Sequence, residues 1–136
     1  MIKVKVVKKD DIIESISAIG HAGYAQYGKD IVCASFSTMI IFTINAILDI
    51  DIDAISYTDS NDLNIINIKK DNITNSLLKT LVNMIYELRD NYDKNIIILC
   101  VMFVIMLLIY GFFITVRKVE LILKKCKKRS VVRTNG

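Results

Sequence analysis

Hydrophobic and polar residues alternate at the start of the chain. Lysines separate Ile2, Val4 and Val6, and this two-residue period is typical of a β-strand with one buried face. A polar turn at residues 9–11 leads into a second apolar run at residues 12–19. The two runs together predict a β-hairpin.

A loop and a helix are predicted after this hairpin. Residues 20–28 contain three glycines and no apolar periodicity, which indicates a loop. Residues 31–48 carry apolar side chains around most of a helical circumference, and Asp30 before them is a favourable N-cap. Such a helix is buried on more than one side, beneath a sheet or in a subunit interface.

The same order of elements follows once more. Residues 52–57 and 63–68 are short apolar runs on either side of a polar turn at residues 58–62 and predict a second hairpin. A helix is predicted next, starting after Asn72 or Thr74. Its apolar residues share one helical stripe: Leu77, Leu78, Leu81, Val82, Ile85 and Leu88. The order predicts an α+β fold, a small ββαββα sandwich whose four-stranded sheet is covered by two helices.

Residues 96–116 are a run of twenty-one residues without a charge. As a helix the run would extend roughly 31 Å at about 1.5 Å per residue, which matches the hydrocarbon core of a bilayer. A buried core helix is the alternative, but such helices usually have one polar face and this run has none. The run predicts a C-terminal transmembrane helix between a body of residues 1–95 and a basic tail of residues 117–136.

Charge is segregated along the chain, whose formal net charge is +4. Residues 1–95 carry ten basic and thirteen acidic side chains, a net charge of −3, whereas residues 96–136 carry eight and one, a net charge of +7. The acidic body argues against direct binding of nucleic acid. The basic tail predicts contact with anionic lipid headgroups. A hydrophobic content of 53% excludes intrinsic disorder.

The orientation of the predicted transmembrane helix is ambiguous. The positive-inside rule would keep residues 117–136 in the cytoplasm and place residues 1–95 outside. The body lacks a secretory signal and would fold before the apolar run emerged, which favours a cytoplasmic body. The run could instead lie in a dimer interface or along the membrane surface, or a disturbed reading frame could have created the carboxyl end. The sequence leaves these alternatives open.

Cys33 and His21 are the candidate catalytic residues. Cys33 would lie in the first helical turn, where free N–H groups and the helix dipole stabilise a thiolate. His21, the one histidine of the chain, follows a predicted strand, and the loop after it can fold back toward Cys33. A Cys/His pair is the minimum for nucleophilic catalysis by a thiol, although by spacing alone a core cysteine and a surface histidine are more common.

The other cysteines add no further chemistry. Cys33, Cys100 and Cys126 form neither a disulfide framework nor a zinc-binding pattern. Their odd number and wide spacing suit a reducing cytosol. We expect no metal and no cofactor.

The segment at residues 20–37, GHAGYAQYGKDIVCASFS, closely resembles the signature of the ribosomal-processing cysteine protease family called Prp. That signature is a GHA loop, a downstream glycine, and D-[IL]-V-C-A followed after two residues by Ser. The remainder of residues 1–95 also looks like this family, with a hairpin before the signature and a hairpin plus amphipathic helix after it. In the family pattern the domain ends near Tyr92, so the apolar run and basic tail lie outside the resemblance.

The resemblance implies a cysteine endopeptidase that removes an N-terminal extension from a ribosomal protein, the large-subunit protein numbered twenty-seven. It implies Cys33 as the nucleophile and His21 as the general base and acid, and it places the motif's aspartate and serine on Asp30 and Ser37. By position, Asp30 caps the helix and Ser37, one turn beyond Cys33 on the same helical face, has a supporting role. The resemblance also implies a homodimer. The loop expected to be mobile and to order over bound peptide contains Gly20, Gly23, Tyr24, Tyr27 and Gly28.

The implied reaction proceeds by attack of the thiolate on a peptide carbonyl, an acyl-enzyme on Cys33, and hydrolysis by water. We expect a cytoplasmic catalytic domain, anchored to the inner membrane by the C-terminal helix. The alternative function is a non-catalytic binding protein on the same fold, associated with the ribosome or tethered to the membrane. A third interpretation is a small single-pass membrane protein with a soluble appendage, in which the carboxyl end would carry the function.

Overall fold

The computed structural model describes residues 1–102 and 108–120. The chain divides into two units, residues 1–102 and 103–136. The elements of the first unit follow in chain order: β1 (Ile2–Lys9), β2 (Ile12–Ile19), α1 (Ile31–Ile50), β3 (Ile55–Asp59), β4 (Leu63–Asn67), α2 (Asn72–Asn91) and β5 (Ile96–Met102). In the second unit, residues 108–120 are helical. The first unit is therefore a small α+β fold with a five-stranded mixed sheet and two helices, and a third helix lies in the second unit.

The strand order of the sheet is β3-β4-β2-β1-β5. The first four strands pair antiparallel with their neighbours, whereas β5 runs parallel to β1, with Ile2 opposite Ile96. The predicted sheet of four strands is therefore wrong by one strand. The two predicted hairpins are confirmed as β1–β2 and β3–β4.

The alternation that predicted the first strand is confirmed by burial. Ile2, Val4 and Val6 are buried and the lysines between them are exposed. The buried residues of β1 join those of the other strands and of both helices in one hydrophobic core. Helices α1 and α2 pack against each other, so the helices cover the face of the sheet that β1 directs inward.

The first seven residues of the predicted transmembrane helix form β5 instead. Ile96 is 1% exposed and Ile98 packs against the core, because the free edge of β1 offers backbone partners over the whole length of β5. The helix predicted over residues 96–116 is thus wrong for Ile96–Met102. Residues 103–107 and 121–136, which include Cys126 and most of the basic tail, lie outside the described residues. Membrane contact by the carboxyl end stays a prediction.

Among the described residues, α1 is the one helix that is long and apolar enough to cross a membrane, by length and composition alone. A core helix satisfies the same criterion. One face of α1 is buried in the core of the first unit: Val32, Phe36, Ile40, Thr43, Ile44 and Ile47. Packing in this fold therefore accounts for the apolar residues of that face of α1.

Strand β3 begins three residues later than predicted. The Asp51 N–H donates to the Ile47 carbonyl at 2.9 Å and caps α1. The Asp51 side chain then accepts from the Asp53 N–H at 3.0 Å, and the Ala54 N–H donates to the Asp51 carbonyl at 3.1 Å. These bonds form a turn that leaves Ile52 75% exposed, so an apolar side chain lies outside the strand that its hydrophobicity had predicted.

The candidate site lies at one end of the sheet. The end of β2 lies here, with Ile19 opposite Lys3 of β1 and Ala18 opposite Leu63 of β4. The last residue of β3, Asp59, also pairs with Leu63. The loop that leaves β2 at this end leads into α1. Residues far apart in the chain therefore border one region.

Candidate active site

Cys33 lies in the first turn of α1 and is half-buried. Asp30 is the N-cap of the helix, and its Oδ1 accepts a hydrogen bond from the Cys33 N–H at 2.9 Å. This is the cap and the helical position that the sequence predicted. The Ala34 N–H donates to the Asp30 carbonyl at 3.1 Å, which completes the first turn around the cysteine.

The Asp30 carboxylate also holds the loop that precedes the helix. Its Oδ2 accepts a hydrogen bond from the Tyr24 N–H at 3.0 Å. Hydrogen bonds from backbone N–H groups, first that of Cys33 and then those of Tyr24, Ala25 and Val32, lower the pKa of the Asp30 carboxyl, while partial desolvation opposes them. Asp30 is therefore ionised at neutral pH and joins the loop to the start of α1.

The segment that carries His21 is held against Cys33 by its backbone. The Met1 amino group donates to the His21 carbonyl. The Ala22 N–H donates to Cys33 Sγ at 3.2 Å, and the Ala22 carbonyl accepts from Asn95 Nδ2 at 2.9 Å. An N–H group directed at the sulfur is an interaction that stabilises negative charge there. The His21 side chain itself is exposed.

A cleft of about 240 Å³ lies between these elements, and both His21 and Cys33 line it. Ser37, one helical turn after Cys33, lines the same cleft, as does Asp59 at the end of β3. The structure thus brings together His21, Cys33 and Ser37 in one cleft. Asp30 does not line this cleft and contacts Cys33 through the N-cap hydrogen bond. The catalytic roles of these residues stay predictions.

Two features require glycine at position 20: the backbone conformation, and the lack of room for a Cβ atom. The φ of Gly20 is +88°, a region that L side chains rarely adopt, and an added Cβ would lie 2.6 Å from the Met1 carbonyl oxygen. Gly23 and Gly28 also have positive φ, of +65° and +79°, but no atom lies within 4 Å of the place a Cβ would take. The loop therefore needs glycine at these two positions for backbone conformation alone.

The two loop tyrosines lie outside the cleft. The Tyr24 ring packs edge-to-face on Tyr92 with ring centroids 5.3 Å apart. Tyr27 is fully exposed. Tyr24 thus fastens one side of the loop to the end of α2, and closure of the loop over a peptide stays a prediction.

Two residues near the site, Asn95 and Asp59, were not predicted from the sequence. Asn95 precedes β5, and its contact with Ala22 spans 73 positions of the chain. Asp59 was part of a predicted polar turn, and only the strand pairing brings it to the cleft. Since both depend on non-local contacts, no local motif could have identified them.

The arrangement is suited to acyl transfer. A thiol lies at the positive end of a helix, an imidazole lines the same cleft, and the Ala22 N–H is directed at the sulfur; covalent catalysis by cysteine uses these features. Within the described residues, no group of three or more His, Cys, Asp or Glu side chains could hold a metal ion.

Comparisons with known proteins identify a protein family and solved structures that are similar to this chain. The family model described as "Cysteine protease Prp" matches residues 1–97. The crystal structure of the essential ribosomal processing protease Prp from S. aureus, in complex with a covalently linked product peptide, matches with a TM-score of 0.69 and 25% identity, covering 74% of this chain and 99% of that chain.

Two further solved structures share the fold. SMU.848 from Streptococcus mutans matches with a TM-score of 0.64 and 24% identity, covering 75% of this chain and 95% of that chain. The S. aureus protease in complex with a substrate peptide matches with a TM-score of 0.65 and 23% identity, covering 74% of this chain and 99% of that chain. Curated proteins gave no match.

Proposed function

We propose, because this chain belongs to the cysteine protease Prp family, that it is a ribosomal-processing cysteine endopeptidase with Cys33 as nucleophile and His21 as general base. One observation carries the proposal. His21 and Cys33, twelve positions apart in the chain, line one cleft, and the backbone N–H next to His21 is directed at Cys33 Sγ at 3.2 Å. Both residues lie within the matched family region.

The proposed substrate is the N-terminal extension of the large-subunit ribosomal protein numbered twenty-seven. The S. aureus relative is described as a ribosomal processing protease, and its structures hold a product peptide and a substrate peptide. The resemblance of residues 20–37 to the family signature supports the same class of substrate for this chain.

In the proposed mechanism, His21 accepts the proton of the Cys33 thiol and Sγ attacks the peptide carbonyl. The oxyanion needs a donor beside the sulfur. The N–H groups of Cys33 and Ala34 already donate to Asp30, whereas the Ala22 N–H is directed at Cys33 Sγ and is the donor proposed for the oxyanion. His21 then protonates the leaving amine, and water hydrolyses the acyl-enzyme with His21 as base.

Asp30 and Ser37 have supporting roles in this proposal. Asp30 positions Cys33 through the cap and positions the loop through Tyr24. The exposed Ser37 hydroxyl lines the cleft one turn beyond Cys33, where it can donate to a backbone carbonyl of a bound peptide.

A homodimer is proposed through α1. Its exposed side includes Ile41 and Phe42, which are 54% and 70% exposed, and burial of such side chains between two copies would remove them from water. Size-exclusion chromatography with light scattering measures the molar mass of the full chain in solution, which should be that of a dimer. A Phe42→Asp variant that dimerised as well as the wild type would contradict this interface.

We also propose that the catalytic domain is cytoplasmic and that the carboxyl end contacts the inner membrane. The helical residues 108–120 expose large apolar side chains, among them Tyr110 and Phe112 at 72% and 69%. The test is to fractionate cells that produce either the full chain or a chain ending at Met102, and to measure the share of each chain in the membrane fraction. The full chain should be enriched there. Equal partition of the two chains would refute it.

The cleavage test uses the full chain and the ribosomal protein with its extension, with products measured by intact mass. The wild type should give one defined truncation, which Cys33→Ala and His21→Ala abolish. Cys100→Ser is the matched control, because Cys100 is an exposed cysteine of β5 that does not line the cleft. Cleavage by Cys33→Ala would refute the mechanism. A folded wild-type chain that binds the extension without cutting it would favour the binding-protein function.

A further inference from the structure

The cleft at Cys33 continues into a second cavity along α1. This second cavity, of about 150 Å³, shares four lining residues with the first: Phe36, Ser37, Asp59 and Leu63. Beyond these it is walled by Ile40 and Ile41, one turn further along the helix. The two cavities therefore form one groove between α1 and the β3–β4 hairpin, which begins at His21 and Cys33 and ends at Ile41.

The length of this groove fits a short extended peptide. Ser37 lies four helical residues beyond Cys33, or about 6 Å along α1, and Ile41 lies about 12 Å along it. An extended peptide advances about 3.3 Å per residue. The shared part of the groove is therefore about two peptide residues from the sulfur, and the far end is three to four residues from it.

Asp59 is the acidic side chain that lines both cavities. It is exposed, and among the described residues no side chain forms an ion pair or hydrogen bond with its carboxylate. Beside it the groove wall is apolar: Phe36, Ile40, Ile41 and Leu63. A carboxylate next to apolar wall complements a side chain with an aliphatic stem and a cationic head.

We propose that Asp59 is a specificity-determining residue, which selects a Lys or Arg of the substrate peptide within three residues of the scissile bond. The aliphatic stem of that residue lies over Leu63 and Ile40, and its cationic head meets the Asp59 carboxylate. This inference rests on the proposed endopeptidase function and adds the charge of the peptide that the groove accepts.

The test uses the full chain and a mixture of dodecapeptides of randomised sequence, with cleavage positions read by mass spectrometry. Lys and Arg should be enriched at one position within three residues of the cut, by about fivefold, the upper end of what an exposed ion pair supplies. Asp59→Asn should abolish this enrichment, and Asp59→Lys should replace it by enrichment of Asp and Glu. Asp62→Asn is the matched control, because Asp62 is an exposed acid of the same turn that lines neither cavity.

The outcomes separate this inference from the function on which it rests. Cleavage by the wild type without basic enrichment, or with equal enrichment in Asp59→Asn, overturns the role of Asp59 and leaves the protease intact. Equal loss of enrichment in Asp62→Asn also overturns it, because the preference would then follow the charge of the turn and not the groove. Absence of any Cys33-dependent cleavage refutes the protease and this inference with it.

Discussion

Replacement of Gly20 by alanine tests whether the turn after β2 sets the position of His21. The φ of +88° places an alanine in the left-handed region, which costs an L residue about 1 kcal/mol. The new Cβ would lie 2.6 Å from the Met1 carbonyl oxygen, whereas ordinary contact begins near 3.4 Å, so one of the two backbones must move by about 0.8 Å. Such overpacking costs about 1–3 kcal/mol, so the free energy of unfolding should fall by about 2–4 kcal/mol.

The same displacement should also lower kcat/KM of the molecules that remain folded. The Met1 amino group is bonded to the His21 carbonyl, so a shift of Met1 or of the turn moves the residue proposed as the general base. A misplacement of about 1 Å lowers catalysis by a factor on the order of 100. Stability is measured by urea unfolding followed by circular dichroism, and kcat/KM by peptide cleavage at a temperature where the variant is folded.

Gly23→Ala is the control for this experiment. Gly23 also has a positive φ, of +65°, but no atom lies within 4 Å of its Cβ position. It should therefore lose about 1 kcal/mol from backbone strain alone and keep kcat/KM within a few-fold of the wild type. The reasoning is refuted if both variants lose the same stability, or if Gly20→Ala loses stability while kcat/KM is unchanged.

Three further substitutions test separate contacts. Because N–H groups lower the Asp30 pKa, its stabilisation is complete above the unfolded-state pKa of about 3.9 and is lost as pH falls through the lower folded-state value. Thermal unfolding of Asp30→Asn should therefore differ from wild type by a constant amount from pH 5 to 8 and converge with it in more acid solution; a difference that grows from pH 5 to 8 would contradict this. Asn95→Ala removes the bond to the Ala22 carbonyl and should cost about 1 kcal/mol in urea unfolding but lower kcat/KM about tenfold; an unchanged kcat/KM would show that this bond does not position the site. Asn67→Leu leaves the Ile13 carbonyl, bonded at 2.9 Å by a side chain that is 1% exposed, without its donor, which should cost about 2 kcal/mol with unchanged kcat/KM per folded molecule; a loss of activity without loss of stability would contradict a structural role.

Local patterns in the sequence were sufficient to predict the elements around Cys33. The N-cap at Asp30, the helix after it and the hairpin before it depend on short-range preferences: a side chain that accepts from the first turn, helical spacing of apolar residues, and alternation in β1 and β2. These signals act within a few residues of the chain, so they can be read without knowledge of the fold. The resemblance of residues 20–37 to the family signature belongs to the same local stretch.

The error at residues 96–116 has a different cause. An uncharged run carries no periodicity that distinguishes a strand from a helix, and its length suggested one long helix. Whether Ile96–Met102 becomes a strand depends on the free edge of β1, which lies more than ninety positions earlier and pairs with β5 in parallel. Short-range preference could not decide this, because the stabilising partners are backbone groups of a distant segment.

The sequence by itself determined the local pieces: the capped helix that carries Cys33, the glycine loop that carries His21, and the alternation that buries one side of β1. The tertiary structure alone decided which distant residues complete the site. Pairing of β3 with β4 brought Asp59 to the cleft, and the return of the chain into β5 brought Asn95 to Ala22. The physical reason is that a sheet joins segments through backbone hydrogen bonds, which do not depend on side-chain identity, so the neighbours of a residue follow from the strand order of the whole domain.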